Sequence, residues 1–445
     1  MRVLVYGLGR SGLAVARLAA RQGHQVAYAD RRDAGEDIAA AAAEGFVRVP
    51  EPAAARADLC IAAPGVPIDH PDLRALRARG TETIGEVEWV ARTVDAPMVG
   101  ITGTAGKGTV TRWTHAIMQR AGMDPVAGGN LGPALAAVAT PGRWQVAELS
   151  SFQLERCPTL SPDVAVVTNL GRDHLDRHGS VDAYHAVKRR ITDNLRSSST
   201  LILNADDPAM AAWAEGTPAR VVTFSVRGAE ARARLAGGRL WLGPHDLGPE
   251  DALRAPGLHQ RANLLAAALA AEAAGVPPAT VRDAIPTLTP LPGRHALVAA
   301  RGGVRFVNDS IATRELAVAA SLEAATPPVA WIAGGRDKGA DVTALRPLVR
   351  ERVAVLLGIG EAGPALVDAF ADLVPTERID DADGPTAMAK AVRRGAAWLH
   401  PGGGTVLLAP LAASFDQFAD YQARGRAFED AVDQVLKEAP WTACC

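Results

Sequence analysis

The feature that most limits the folds open to this chain is a glycine-rich segment at residues 99–111, VGITGTAGKGTVT. An apolar run at 97–101 ends at a turn with one lysine, Lys107, and a helical pattern starts near Thr109. This order predicts a strand, a loop and a helix N-terminus, as in an α/β fold. Backbone N–H groups of such a loop point into one space, where the helix dipole and Lys107 favour an anion. The segment therefore predicts a site for nucleotide phosphate.

The loop differs from the common phosphate-binding pattern in two ways. Its form is G-x-x-G-K, which is shorter than the common pattern, and Gly108 stands where a Ser or Thr that binds magnesium is expected. The alternative is a glycine-rich loop with a surface lysine. The strand, loop and helix around it favour the phosphate site.

Length and composition restrict the class of protein. A chain of 445 residues is too long for one core and suggests about three domains. With 47 Lys+Arg against 49 Asp+Glu, the net charge of -2 leaves no basic footprint for nucleic acid. No apolar run reaches the roughly 18 residues that span a bilayer, and the N-terminus starts with a strand-like run rather than a signal sequence. We expect a cytoplasmic monomer that binds neither nucleic acid nor membrane.

Short apolar runs alternate with helical patterns through three successive parts of the chain, which predicts parallel βαβ units. The predicted strands of the first two parts lie at 2–6, 25–29, 59–62, 97–101, 145–149, 164–168, 200–203 and 220–224, with an antiparallel hairpin at 229–243. Those of the last part lie at 304–308, 329–333, 353–357 and 405–408. The predicted helices lie at 12–21, 86–93, 181–196, 259–274, 314–325, 362–370, 385–399 and 415–436. Composition breaks near residue 94 and at the prolines of 287–293 predict domains at 1–93, 94–290 and 291–445.

The first βα turn carries Gly7-Leu8-Gly9-Arg10-Ser11-Gly12, and Asp30 ends the next predicted strand. This is the G-x-G-x-x-G pattern in its proper context, which places a diphosphate at a helix N-terminus. The pattern alone suggests an NAD-dependent dehydrogenase. The same turn can bind other diphosphates, or only pack a helix on a sheet.

Two further strand ends carry candidate ligands near the phosphate loop. Glu148 ends an apolar run and could bind magnesium, which prefers oxygen and phosphate ligands, or it could merely initiate a helix. His174 lies in a polar segment after the next strand, where it could ligate a metal, contact phosphate or pack a loop. Lys188 is one of three consecutive cations on a predicted helix, so its pattern by itself indicates a solvated surface.

Three polar clusters lie at strand ends in the last part of the chain. They are Asn308-Asp309-Ser310, the segment 334–339 and the segment 413–418. Because parallel strands end at one edge of a sheet, we expect these clusters to converge on a second substrate site. Each cluster alone could be a turn or a helix cap.

With these segments, the chain resembles the Mur ligase family over essentially its whole length. The most specific segment is ELSSFQLE at 148–155, supported by 63–67, 129–132, 204–207, 414–418 and Arg424-Gly425. The resemblance implies a Rossmann-like N-terminal domain that binds a UDP-substrate, a central P-loop ATPase domain with a mostly parallel sheet, and a Rossmann-like C-terminal domain that binds an amino acid. Within the family, the resemblance is to the branch that adds D-glutamate.

The resemblance implies ATP-dependent ligation of D-glutamate to UDP-N-acetylmuramoyl-L-alanine through an acyl phosphate, a step of peptidoglycan synthesis on which cell shape and division depend. The residues implied in catalysis are Lys107, Glu148, His174 and Lys188. Those implied to bind ATP are Thr104, Ala105, Gly106, Lys107, Gly108, Thr109, Val110, Asn263, Arg294 and Asp309. Those implied to bind the UDP-substrate are Gly9, Ser11, Asp30, Arg31 and Asn130. Those implied to bind D-glutamate are Lys338, Ser414 (as a helix N-terminal serine) and Tyr421. The implied metal is magnesium, as two ions, with Glu148, His174 and a carbamylated Lys188 as ligands.

The chain departs from the family pattern at several positions. Besides Gly108, the departures are Ala105 for Asn, Gln260 for Asn, Gly293 for His, and Ile311 and Arg314 in the NDSKATN segment. The alternatives are a sister ligase that adds another amino acid, and a nucleotide-binding protein with weakened catalysis. Folylpolyglutamate synthase shares the ATPase logic, but it lacks the Rossmann-like part that comes first here.

Overall fold

Three β-sheets organise the chain in a computed structural model, which describes residues 1–130, 132–289, 293–336 and 342–438. The contacts divide the chain into two compact units. The first unit is Met1–Ala252 with Arg261–Leu288, and the second is Leu253–Gln260 with the residues from Thr289 onward. The first unit contains two of the sheets and the second contains the third.

The first sheet has five parallel strands in the order β3-β2-β1-β4-β5. The strands are β1 Arg2–Tyr6, β2 Gln25–Ala29, β3 Val47–Arg48, β4 Leu59–Ala62 and β5 Glu82–Ile84. The helices are α1 Arg10–Arg21, α2 Glu36–Ala43, α3 Pro71–Ala78 and α4 Glu86–Thr93. Every residue of β4 is buried, as expected for a parallel strand covered on both faces.

The second sheet has nine strands in the order β14-β13-β12-β11-β10-β9-β6-β8-β7. The strands are β6 Met98–Thr102, β7 Val126–Gly129, β8 Gln145–Glu148, β9 Val164–Val167, β10 Thr200–Asn204, β11 Arg220–Ser225, β12 Ala233–Ala236, β13 Arg239–Leu242 and β14 His245–Pro249. The helices are α5 Lys107–Arg120, α6 Leu135–Val138, α7 Ser151–Leu154, α8 Leu175–His178, α9 Val181–Arg189, α10 Leu258–Ala273 and α11 Pro278–Ala284. Pairing is parallel from β7 to β12 and antiparallel from β12 to β14.

The third sheet has six strands in the order β15-β16-β20-β17-β18-β19, with an antiparallel pair only between β15 and β16 among the described residues. The strands are β15 Ala296–Arg301, β16 Val304–Asn308, β17 Val329–Gly334, β18 Val353–Ile359, β19 Thr376–Ile379 and β20 Gly404–Leu408. The helices are α12 Glu315–Ala324, α13 Arg346–Arg352, α14 Gly363–Phe370, α15 Gly384–Leu399 and α16 Tyr421–Lys437.

The predicted strands are present with bounds that differ by at most two residues, and β12 and β13 form the predicted hairpin. Several helix bounds are wrong. The helix predicted from Thr109 begins at Lys107, and the helix predicted at 181–196 ends at Arg189 and continues as a 3-10 turn. The helix predicted from Phe415 begins at Tyr421, because residues 414–418 close a turn on the Ser414 carbonyl and Asp420 caps the helix. Ser414 is therefore not a helix N-terminal residue.

Candidate functional site

The phosphate loop joins β6 to α5 and needs glycine at two positions. Gly103 has φ +139° and Gly106 has φ +83°, a backbone region that other residues rarely adopt. A Cβ at Gly103 would lie 2.0 Å from Thr168 Oγ1, and a Cβ at Gly106 would lie 2.3 Å from Asn263 Oδ1. The glycines therefore let the loop pass against β9 and α10, and α10 brings Asn263 to the loop.

The residues that follow β9 hold the loop in shape. Asn169 Oδ1 accepts from the N–H of Ala105 at 2.8 Å, and Asn169 Nδ2 donates to the Ala105 carbonyl at 3.0 Å. Thr168 Oγ1 donates to the same carbonyl at 2.6 Å, and the carbonyl of Asn169 accepts from the Thr104 N–H at 2.9 Å. Sequence reasoning missed this function of Thr168 and Asn169, although both lie in the segment singled out for His174.

Two lysines converge on one carbonyl of this loop. Lys107 Nζ donates to Gly103 O at 3.0 Å and to Thr104 O at 3.1 Å, and Lys188 Nζ donates to Gly103 O at 2.8 Å. Lys188 is only 1% exposed and its ammonium lies 4.5 Å from the centre of the Tyr184 ring. The pattern that indicated a solvated surface for Lys188 is therefore misleading, since only its neighbour Arg189 is exposed.

The buried position of Lys188 changes the pKa of its amine. Burial is the larger cause, and the nearby charge of Lys107 the smaller one, of a pKa of Lys188 that lies well below its usual value. Asp173 and Glu148 oppose that shift, which places both carboxylates within electrostatic reach of the amine. The structure thus brings Lys107, Lys188 and Glu148 into one charged cluster.

Glu148 is the last residue of β8 and is buried. Its Oε1 accepts from Asn130 Nδ2 at 3.0 Å, whereas its Oε2 has no hydrogen-bond partner among the described residues. The helix-initiating interpretation of Glu148 is wrong, because Ser150 caps α7 in a capping box with Gln153. A buried carboxylate oxygen without a donor is suited to a cation, since an unpaired buried charge is costly.

His174 precedes α8 with φ +51°, an uncommon conformation for a residue other than glycine. Its N–H donates to Asp173 Oδ1 at 2.7 Å, and its ring lies 4.7 Å from the centre of the Phe152 ring. The side chain is about one-third exposed, so it is accessible to a ligand. Within the described ranges, no group of three or more His, Cys, Asp or Glu residues is arranged to hold a metal ion.

The glycine turn of the first sheet lies at the carboxyl end of β1, and Gly9 directly precedes α1, whose first turn contains Ser11. A Cβ at Gly12 would lie 2.0 Å from the Gly7 carbonyl oxygen, so the helix can approach the turn only with glycine there. Asp30 Oδ2 accepts from the N–H of Leu8 at 2.7 Å, which joins the end of β2 to the turn.

Asp30 also binds Arg32, whose N–H and Nε donate to Asp30 Oδ1 at 2.8 Å and 3.0 Å. Burial raises the pKa of Asp30, but the hydrogen bonds from Arg32 and Leu8 outweigh burial and lower the pKa to about 2. The neighbouring Arg31 is exposed. The carboxylate of Asp30 is thus in direct contact with the glycine turn.

The described parts of the three polar clusters lie at one edge of the third sheet, because β16, β20 and β17 are adjacent strands. Asp309 and Ser414 are buried beyond the ends of β16 and β20, and Ser310 Oγ donates to the Tyr421 carbonyl at 2.6 Å. Burial raises the pKa of Asp309 to about 7, although the hydrogen bond with Ser321 and the nearby charge of Arg294 both oppose this shift. The predicted residue Lys338 lies outside the described residues.

Comparisons with known proteins match nearly the whole chain. The family model described as "Mur ligase MurD-like, N-terminal domain" matches residues 1–85, and "Mur ligase middle domain" matches residues 101–271. A UDP-N-acetylmuramoylalanine–D-glutamate ligase of Thermus thermophilus is 44% identical over 443 residues, 99% of each chain. One of Deinococcus radiodurans is 45% identical over 446 residues, 98% of this chain and 92% of the relative.

Solved structures show the same fold at low identity. A pseudomurein peptide ligase type C from Methanothermus fervidus aligns with TM-score 0.64 and 16% identity, over 98% of this chain and 99% of that chain. The UDP-N-acetylmuramate-alanine ligase MurC from Thermotoga maritima aligns with TM-score 0.60 and 17% identity, over 98% and 100%. The α/β fold with mostly parallel sheets is confirmed. None of the helices in the described part of the chain has the length and apolar character needed to cross a membrane.

Proposed function

Because the chain belongs to the Mur ligase family, we propose that it is an ATP-dependent ligase that joins D-glutamate to UDP-N-acetylmuramoyl-L-alanine. The observation that carries this proposal is the likeness over nearly the full chain to ligases named for this reaction. The loop with Lys107, Lys188 and Glu148 supplies the chemistry that the reaction needs.

The reaction requires activation of a carboxylate, which is a poor acyl donor. The terminal carboxylate of the L-alanine residue attacks the γ-phosphorus of ATP, the bond to the β,γ-bridging oxygen breaks, and ADP leaves. The amine of D-glutamate then attacks the acyl carbon of the acyl phosphate, inorganic phosphate leaves, and the new amide nitrogen loses a proton. Positioning and charge neutralisation supply most of the catalysis in such phosphoryl transfers.

The chain's own groups fit the nucleotide step. The first-turn N–H groups of α5 have no intrahelical acceptors and point toward the space beyond β6, where they would bind phosphate oxygens. Lys107, which donates to the Gly103 and Thr104 carbonyls, would contact the β- and γ-phosphates. Asn263 touches the loop from α10, on the side proposed for the adenine.

We propose magnesium as the metal, as two ions, with Glu148, His174 and a modified Lys188 as the protein ligands. The unpartnered Glu148 Oε2 supports this, and oxygen ligands suit magnesium. When bound, magnesium would neutralise charge on the phosphates. Because Gly108 has no hydroxyl, phosphate and water oxygens would complete the coordination.

The proposed modification of Lys188 is a carbamate. Its neutral amine adds to carbon dioxide, an N–C bond forms, and one proton is released, which leaves a carboxylate on the side chain. The buried amine with a lowered pKa supports this addition, because only the neutral form reacts. The carbamate nitrogen keeps one N–H, which can still donate to the Gly103 carbonyl.

For the other regions we propose the domains 1–93, 94–290 and 291–445, which bind the UDP-substrate, ATP and the amino acid in that order. Gly9, Ser11, Asp30 and Arg31 would contact the uridine nucleotide, with Asn130 nearer the phosphate loop. Ser414 and Tyr421 would contact D-glutamate. The roles of Arg294 and Asp309 toward ATP stay predictions.

The test is release of ADP by the full chain with magnesium and combinations of the substrates. We expect ADP only when UDP-N-acetylmuramoyl-L-alanine and D-glutamate are both present, and none from Lys107→Ala. Release with a different amino acid in place of D-glutamate would indicate a sister ligase. No release with any amino acid, together with retained ATP binding, would indicate a nucleotide-binding protein instead.

A further inference from the structure

Arg424 is a buried cation of the third sheet to which sequence reasoning gave no function. Its side chain extends from α16 and is only 1% exposed. Nη2 donates to Ser310 O at 3.0 Å, Nη1 to Ala412 O at 3.1 Å and to Gly334 O at 3.4 Å, and Nε to Ser310 Oγ at 3.3 Å. Each donor nitrogen of the guanidinium is therefore used.

The acceptors belong to three different strand ends. Ser310 follows β16, Gly334 ends β17, and Ala412 follows β20, so one guanidinium joins the three segments that form the polar edge of the sheet. The fit is close, since a Cβ at Gly335 would lie 2.9 Å from Nη1 of Arg424. Gly335 also has φ +131°, which other residues rarely adopt. Arg424 thus links the three segments through its hydrogen bonds.

All these acceptors are neutral oxygens. Within the described residues, no carboxylate lies within ion-pair distance of Arg424. Burial lowers the pKa of Arg424 to about 10, and the more distant Asp416 opposes that shift, so the group is charged at neutral pH. Carbonyl dipoles solvate the guanidinium but leave its net charge in place, so Arg424 puts a positive charge behind this edge of the sheet.

We propose that Arg424 is a positioning residue for D-glutamate, which sets the spacing of the amino-acid site and attracts the two carboxylates of the substrate. This inference rests on the proposed function. Arg424 is too deeply buried to touch the substrate, so it acts through the backbone segments beside Ser310 and Ser414 and through its charge. We expect this action of Arg424 to affect the binding of D-glutamate more than the binding of the nucleotides.

The test compares Arg424→Gln, which removes the charge, with Arg424→Lys, which keeps the charge but lacks the planar fork. The matched control is Arg426→Gln, which removes an exposed cation from the same helix. For each full-length variant, kcat, the three substrate KM values and the melting temperature are measured. We expect KM for D-glutamate to rise about tenfold in the Lys variant and about a hundredfold in the Gln variant, with KM for ATP changed less than about twofold. Added guanidinium ion should partly restore KM for D-glutamate in Arg424→Ala.

A uniform change in all three KM values that follows the melting temperature would overturn the proposal, as would an unchanged KM for D-glutamate. If neither substituted chain folds while the control does, the residue is only structural and the proposal is also overturned. Absence of D-glutamate-dependent ADP release in the unsubstituted chain is a different result, because it contradicts the proposed function itself.

Discussion

At the scale of single residues, the most informative observation is the contact of two lysines with one backbone carbonyl. Lys107 and Lys188 both donate to Gly103 O, so two lysine side chains share one partially negative atom in a buried setting. Burial, and after it repulsion by Lys107, lowers the pKa of the deeper lysine, Lys188. Because the pKa of its amine is lowered, Lys188 beside Glu148 and Asp173 loses its proton more readily and is easier to modify, which gives the first prediction.

Lys188→Ala should abolish ADP release, because the variant lacks the carboxylate proposed for the metal. Short carboxylates such as formate or acetate should restore part of the activity by occupying the vacated volume. Arg189→Ala is the matched control, since that cation is exposed on the same helix, and it should retain near-normal turnover. Full activity of Lys188→Ala without added carboxylate would show that no carbamate is needed.

Gly106→Ala should weaken ATP binding at least tenfold, since it combines a positive φ with a Cβ only 2.3 Å from Asn263 Oδ1. Gly122→Ala is the control, because Gly122 has φ +76° but no atom within 4 Å of the place that a Cβ would occupy. The control should lose about 1–2 kcal/mol of stability and keep its affinity for ATP. Calorimetric titration with a non-hydrolysable ATP analogue measures the affinity and urea unfolding measures the stability. Equal losses of affinity in the two variants would contradict the steric argument.

At the scale of elements, α8 is anchored to the first sheet. Arg177 Nη2 donates to Val66 O at 3.1 Å and pairs with Glu155, and its guanidinium lies 4.8 Å from the centre of the Phe152 ring. That ring also packs on His174. The loop containing Val66 packs against Gly7 of the glycine turn, so the contacts run continuously from that turn to His174.

Arg177→Ala should raise KM for UDP-N-acetylmuramoyl-L-alanine and lower kcat about tenfold, because α8 then loses its link to the loop at 63–67. Arg177→Lys keeps the charge but makes fewer of these contacts, so we expect an intermediate effect. Steady-state kinetics with the UDP-substrate varied provides the measurement. An effect on KM for ATP alone would refute the link to the first sheet.

The elements that could be predicted share a physical basis. Strands that are buried on both faces, such as β6 and β9, are recognisable from their largely apolar sequences. The candidate residues follow them, since parallel strands end at one edge. Burial of Lys188 and Arg424 could not be predicted, because it depends on packing between elements far apart in the chain. The turn at Ser414 was missed because its hydrogen bonds delay the helix to Tyr421.

At the scale of the whole molecule, a buried carboxylate joins the first two sheets. Glu86 in α4 accepts from the N–H of Ala136 in α6 at 2.8 Å and is 2% exposed. Burial raises the pKa of Glu86 to about 7, although that hydrogen bond opposes the shift. The junction between these layers is therefore sensitive to pH.

The folded pKa of about 7 lies above the reference value of 4.5, so between these pH values the folded state binds a proton that the unfolded state has lost. Stability from this group is therefore present below pH 4.5 and is lost as pH rises to about 7, by about 3 kcal/mol. Compared with Glu86→Gln, the free energy of unfolding of the unsubstituted chain should fall by about 3 kcal/mol between pH 4.5 and about 7. Above about pH 7 the difference between the two chains should stay constant. Urea unfolding at several pH values checks this, with the exposed Glu36→Gln as control. A difference that is independent of pH would contradict the assignment.

The clamp of Asn169 on Ala105 has a consequence for affinity. The protein's own contacts hold the turn of the phosphate loop, because two hydrogen bonds from one amide fix its middle residue. The conformational entropy of this segment is thus lost during folding and not during association. The free energy of the nucleotide contacts is then not reduced by the cost of ordering the loop. A short loop without the usual hydroxyl can therefore keep an affinity that a flexible loop would lose.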